Sequence, residues 1–182
     1  MESKSLINRT FLIGFILFSY HSFSQKALKI TTYACKQQMN KEGKEQILSG
    51  SKVNIYDRNN IFLQAVLQND SGVFVFNLLY NNVYRIEYTC ENYVTASSIY
   101  NLEGIPDNAP RNISYLAIMF LNKKREKVEY SLFHRPLIKY IYSPELLGIA
   151  QDVEYFQIMS SALQVFAKLK SKTKNKKLLI QF

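Results

Sequence analysis

The chain has 182 residues, a formal charge of +9, two cysteines, two histidines and no tryptophan. This is length for one domain with an ordinary core; beyond residue 24 only Cys35, Cys90 and His134 remain, too few for a four-ligand zinc site built from His and Cys, and the helical zinc-protease motif with two histidines four apart is absent. The charge is not spread evenly: Lys168, Lys170, Lys172, Lys174, Lys176 and Lys177 fall in the last fifteen residues with no acid among them, whereas residues 25–167 hold 15 Lys and Arg against 13 Asp and Glu.

In chain order, residues 1–10 carry Lys4 and Arg9 with one acid, Glu2; residues 11–18 are apolar and residues 19–24 polar. A basic start, a short apolar centre and small residues at Ser22 and Ser24 predict a secretory signal over residues 1–24, cut before Gln25. The apolar run is far shorter than the roughly 20 residues of a membrane-spanning helix. No second such run follows, so no transmembrane segment is expected in the mature chain.

From Leu28 to about Phe120 short β-branched and aromatic runs alternate with turn signals, the texture of an all-β sandwich or barrel. Leu28–Cys35 reads as the first strand, followed by a polar loop to Glu45. Val53–Tyr56 and Ile61–Leu67 flank Asp57–Asn60, a hairpin turn, because Asp and Asn tolerate turn dihedrals. Asn69–Gly72 is the strongest turn signal in the chain. Phe74–Phe76 and Val83–Tyr88 come next, and the alternation in the latter predicts Tyr84, Ile86 and Tyr88 on the buried face. Val94–Tyr100 is a weaker strand, and Pro106 and Pro110 mark a loop. Ile113–Leu121 is the most apolar run and is expected to be a buried strand. Val128–Phe133 and Leu137–Tyr142 read as a further strand pair or an extended arm. Val153, Phe156, Met159, Leu163, Phe166 and Leu169 then recur at helical spacing, with Asp152 placed to cap the start and lysines at the end. The stripe is expected to pack on the sandwich rather than to face a partner.

Candidate chemistry is sparse. Beyond residue 24 there is one histidine, His134, with no Gly-x-Ser-x-Gly elbow near it, and it is read as structural or surface-exposed. No phosphate-cradling glycine loop is present, and Glu87 with Glu91 reads as solvated surface. No cofactor or metal is expected. Cys35 and Cys90 are compatible with a disulfide or with a reduced buried pair. The lysine tail reads as a frayed helix end or as a contact to an anionic surface. Nucleic acid is not expected as a partner, because the tail offers only Phe182 for stacking.

Three segments carry a resemblance: Ser49–Asp57, Asn69–Phe76 and Tyr84–Val94. With Gly50, Val53, Asp70, Gly72, Phe74, Phe76, Tyr84 and Tyr93 in place, they resemble the carboxypeptidase regulatory-like domain; Asn92 stands where that family usually has Gly. The resemblance implies a mainly β fold, a transthyretin-like (prealbumin-type) antiparallel β-sandwich over residues 25–121. Residues 122–182 would be an extension with a helix near 152–172 and a basic tail. It also implies that Asp70 and Gly72 build a hairpin and that Tyr93 closes the sandwich edge. Residues 136–142 and 152–155 look like the C-terminal part of exported Gram-negative envelope proteins. The expectation is an exported, non-enzymatic accessory or interaction module, periplasmic, outer-membrane-associated or extracellular. Its partner would be an envelope protein or the outer-membrane surface. The alternative is a carbohydrate- or peptide-binding protein that uses exposed tyrosines.

Overall fold

Alternation decides most of the architecture. Along Phe74–Leu79 the side chains of Phe74, Phe76 and Leu78 are buried while Val75, Asn77 and Leu79 are exposed, the period of two expected of a strand with one wet face. The computed structural model describes residues 26–36, 45–110, 112–126 and 128–172. The expected signal segment and Lys174, Lys176 and Lys177 lie outside the described residues.

The strands are β1 (Ala27–Lys36), β2 (Lys52–Asp57), β3 (Phe62–Leu67), β4 (Phe74–Leu79), β5 (Val83–Thr89), β6 (Ala96–Asn101), β7 (Asn112–Leu121), β8 (Ile138–Ser143) and β9 (Gly148–Gln151). They form a three-stranded sheet, β4-β1-β7, and a six-stranded sheet, β3-β2-β5-β6-β8-β9. A short 3₁₀ turn, Ser131–His134, precedes β8, and helix α1, Val153–Lys172, follows β9. The fold is a β-sandwich with an appended C-terminal helix. Two strand pairs, β1 with β7 and β6 with β8, are parallel, so the sheets are mixed and not antiparallel throughout.

Leu28 and Ile30 from β1, Val53 and Ile55 from β2, Phe74 from β4 and Ile86 and Tyr88 from β5 are almost wholly buried between the sheets. Each such side chain contributes about 1.5–3 kcal/mol through removal from water. Tyr88 shares a hydrogen bond of 3.1 Å with Thr32, which satisfies two polar groups inside this core.

Four expectations need correction. The sheet does not stop at residue 121: β8 pairs with β6 and β9 with β8, so residues 138–151 belong to the sandwich and not to an extension. Residues 128–133 are not a strand of a pair, since Ser131–His134 is 3₁₀. Strand β7 is an edge strand buried on one face only: Ala117, Met119 and Leu121 are in the core, but it pairs only with β1 and Leu116 is 60% exposed. On α1 the buried residues are Met159 and Phe166, with Tyr155, Ala162 and Leu163 partly buried against the core, whereas Val153 and Phe156 face outward. The helix therefore packs through a face rotated from the one counted in sequence.

Asp152 starts α1. Its Oδ1 accepts the Tyr155 amide at 3.0 Å, and its Oδ2 meets Lys139 Nζ of β8 at 3.0 Å. The second contact fixes the helix against the outer face of the six-stranded sheet.

Candidate functional site

Because Tyr84, Ile86 and Tyr88 turn inward, β5 presents Val83, Arg85 and Glu87 on the opposite face. The register sets Arg85 beside Ile99 and Glu87 beside Ser97 of β6. Over this face rises a wall made by Lys124, Tyr130, Phe133, His134 and Pro136. The wall is held by packing: Phe133 and Phe166 of α1 meet edge to face with centroids 5.4 Å apart, and the Leu137 amide donates to the Ser97 carbonyl at 2.7 Å. Between floor and wall lies a cleft of about 760 Å³, closed at one end by Asp57, Arg58 and Asn60 of the β2–β3 turn.

Arg85 is the fixed centre of the floor. Its guanidinium lies over the Tyr56 ring, 4.1 Å from the centroid, with Nε donating to Asn60 Oδ1 and Nη1 to Glu87 Oε2, both at 2.9 Å. The Tyr56 hydroxyl donates to Glu87 Oε1 at 3.4 Å. Arg58 pairs with Glu103. Asp57 is turned to its own backbone, where Oδ1 accepts the Asn59 and Ile61 amides at 2.8 Å each. His134 ends the 3₁₀ turn and is exposed at the wall.

A second feature is the β3 end of the six-stranded sheet. Strand β3 pairs only with β2. Its side chains are largely exposed, with Ile61 59% exposed, Phe62 55%, Leu63 49% and Leu67 69%, while Val66 packs against the core. Neither charge nor proline occurs from Asn59 to Asn69. Natural edges are ordinarily blunted by such residues; here a bulge opposite Ile55 and Tyr56 is the one device of that kind.

The residues singled out from sequence are placed as follows. Val53, Phe74, Phe76 and Tyr84 lie in the core. Gly50 and Gly72 take left-handed backbone, φ +73° and +76°. The Asn69–Gly72 turn is organised by Asn69 and not by Asp70: Asn69 Oδ1 accepts the Ser71 and Val73 amides at 3.0 and 2.9 Å. That turn is not a hairpin, since β3 and β4 lie in different sheets. Tyr93 is half-buried and bridges to Lys123. Cys35 and Cys90 are free thiols, and burial, with Glu45 adding, pushes the Cys35 thiol up to about 11. Lys168 is exposed on α1; Lys170 and Lys172 end the helix, and their side chains lie outside the described residues.

Among the described residues no tyrosine is exposed. Of the twelve described, Tyr80, Tyr84, Tyr88, Tyr100 and Tyr140 are buried and the others are half-buried, which removes the basis offered for sugar or peptide binding through a tyrosine surface. Among the described residues no helix is long and apolar enough to cross a membrane, and no three His, Cys, Asp or Glu side chains converge. The cleft went unread in the sequence. Its floor was legible, because alternation that buries Tyr84 and Ile86 must expose Arg85 and Glu87. Its wall depends on the contact of Phe133 with Phe166, 33 residues away.

No protein-family model matches the chain, and no curated protein sequence matches it. Solved structures resemble parts of it. The Bacillus anthracis TIE protein is 14% identical with a TM-score of 0.41, over 53% of this chain and 17% of that one. A catechol 1,2 dioxygenase from Acinetobacter radioresistens is 12% identical with a TM-score of 0.40, over 59% and 55%. The group B streptococcus pilus 2b backbone protein is 12% identical with a TM-score of 0.34, over 54% and 42%. This chain thus spans from about a sixth to about half of their lengths. The expectation that the chain is not an enzyme does not stand, because dioxygenases are among these structures.

Proposed function

We propose that the chain is an exported accessory module of the cell envelope that joins an assembly through the edge of β3. The observation that carries this reading is the combination at one strand of a free edge, exposed apolar side chains and no charge. An exposed edge offers unpaired amides and carbonyls, and strand addition by a partner satisfies them while the alternate side chains set specificity. The signal-like residues 1–24 support export. The lysines from Lys168 onward support attachment of the same module to an anionic envelope surface, where each lysine near the surface contributes about 1 kcal/mol.

The test is a photo-reactive residue at Gln64, on the exposed β3 edge, compared with one at Asn77 on β4 in the other sheet. In intact cells the Gln64 probe is expected to cross-link an envelope protein and the Asn77 probe not to. Equal cross-linking from the two positions, or none from Gln64, would overturn the reading. Export is checked separately by replacing Leu12, Ile13 and Ile16 with Asp, which should hold the precursor in the cytoplasm.

A further inference from the structure

The cleft is a site of different character from the β3 edge, and its hydrogen-bonding balance is one-sided. Its acceptors are mostly engaged: both Glu87 oxygens have a partner, Tyr56 and Arg85, and Asp57 Oδ1 holds two backbone amides, which leaves Asp57 Oδ2 as the open carboxylate oxygen. The donors of the cleft are not. A guanidinium has five N–H groups, and Arg85 commits its Nε and one Nη1 hydrogen, so Nη2 keeps both of its own among the described residues. Lys124, exposed at the wall, has no side-chain partner there. The lining carries Arg58, Arg85 and Lys124 against Asp57 and Glu87, and the remainder is largely apolar, with Val83, Val94, Ile99, Tyr130, Phe133 and Pro136.

We infer that this cleft binds a ligand in which a carboxylate adjoins an apolar group, the carboxylate on Arg85 and Lys124 and the apolar part against Tyr130, Phe133 and Val94. A cationic ligand would meet three cationic side chains and only Asp57 Oδ2 as an open carboxylate oxygen. A neutral apolar ligand would leave the spare donors covered and unpaired, which costs binding energy. Arg85 suits the role because Tyr56, Asn60 and Glu87 hold its planar fork in place before any ligand arrives, so little side-chain freedom is lost on binding. The volume lies within the range usual for small-molecule sites and also accommodates the last residues of a peptide.

Two sources of that chemistry, a free organic acid and a peptide C-terminus, are separated by the probes. Purified protein is titrated with hippurate and with an N-acetylated tetrapeptide ending in a free phenylalanine carboxylate, each against its own amide, with binding read by calorimetry or by NMR shifts. At least one carboxylate should bind, and its amide should bind about tenfold more weakly, the effect of losing charge-assisted hydrogen bonds. The exposed variant Lys124→Gln should weaken the carboxylate about two- to fivefold, and added salt should do the same. Arg85→Gln should remove binding; its melting temperature is measured alongside, and Lys124→Gln decides the matter if Arg85→Gln unfolds. Hippurate binding without the peptide marks a small-acid site, and the reverse marks a C-terminus reader. Carboxylate and amide binding alike, an unaffected Lys124→Gln variant, or no binding of either acid at about 10 mM, a weak-fragment concentration, would overturn the inference.

Discussion

Tyr100 and Tyr140 stack inside the sandwich, ring centroids 4.6 Å apart and planes 24° from parallel, on the two strands β6 and β8 that run side by side in parallel. Tyr115 of β7 meets Tyr140 from the opposite sheet at 5.2 Å. These rings tie strands distant in sequence into one core, and Tyr100 and Tyr140 are buried in it.

Alkaline sensitivity follows. Burial pushes the Tyr88 phenol up to about 12 and raises Tyr100 and Tyr140 as well. In the unfolded chain these phenols ionise near 10. Below that pH both states are protonated and the stability is whole; above it the folded state retains protons that the unfolded state has lost, so stability falls as pH rises from about 10 through about 12. The share of phenolate absorbance that belongs to the buried tyrosines should rise together with the loss of β-sheet circular dichroism. Ionisation of every tyrosine near 10 with the sheet intact would contradict the buried placement.

The helix cap gives a second prediction at the acid end. Asp152 is held below the ordinary carboxylate range by the Tyr155 amide first and by Lys139 second. Asp152→Ala should destabilise the protein by about 1 kcal/mol, the usual cost of a lost N-cap, and Asp152→Asn by less, since Asn still caps. The wild-type contribution is present at neutral pH and is lost as pH falls through the lowered value, whereas the Asn variant should show no such loss at this site. Denaturant midpoints across pH for the three proteins check both statements.

At Gly72 the backbone is left-handed, and an added Cβ would stand 2.9 Å from Ile47 Cγ2. Gly72→Ala should cost about 1–2 kcal/mol from the left-handed backbone, with the Cβ also displacing Ile47, and Gly72→Val more, because its two γ-methyls crowd the site further and a β-branched residue is poor at positive φ. Phe76, 6% exposed, should cost about 3–5 kcal/mol on replacement by Ala. Thermal melts test both; unchanged melting temperatures would mean that neither the turn nor the inward face is as described.

The sequence carried the local features well and the long-range ones poorly. Asp152 was legible as a cap because a capping residue precedes an apolar helical repeat. At Asn92, where the resembling family has Gly, the chain keeps the left-handed conformation, φ +63°, since Asn tolerates it. The Asn69–Gly72 signal announced a reversal but not its destination: a turn fixes local dihedrals, and whether β4 pairs with β3 or crosses to the other sheet depends on the partners available to each. The apolar run of β7 looked central because burial of one face and of both faces gives the same composition when the outer face also carries Leu116 and Ile118. The β3 edge was not legible either, because a hairpin signal pairs Ile61–Leu67 with β2 and says nothing of what lies on its other side.

That edge supports the last prediction. Leu63 and Leu67 are 49% and 69% exposed, so Leu63→Lys and Leu67→Lys, singly or together, remove little burial and should shift folding stability within about 0.5 kcal/mol per site. Their effect on association should be large, because a charged side chain on a free edge opposes strand addition. Leu78→Lys, at 1% exposed, is the contrast and should unfold the protein. Envelope extracts from cells carrying each variant are compared by sedimentation with wild type. The edge variants should leave the assembly fraction and run as free, folded chains with unchanged melting temperature. Folded edge variants that remain in the assembly would show that β3 is not the contact, and the search would move to the outer face of the three-stranded sheet, where Val75 and Leu116 lie in one row with Thr31.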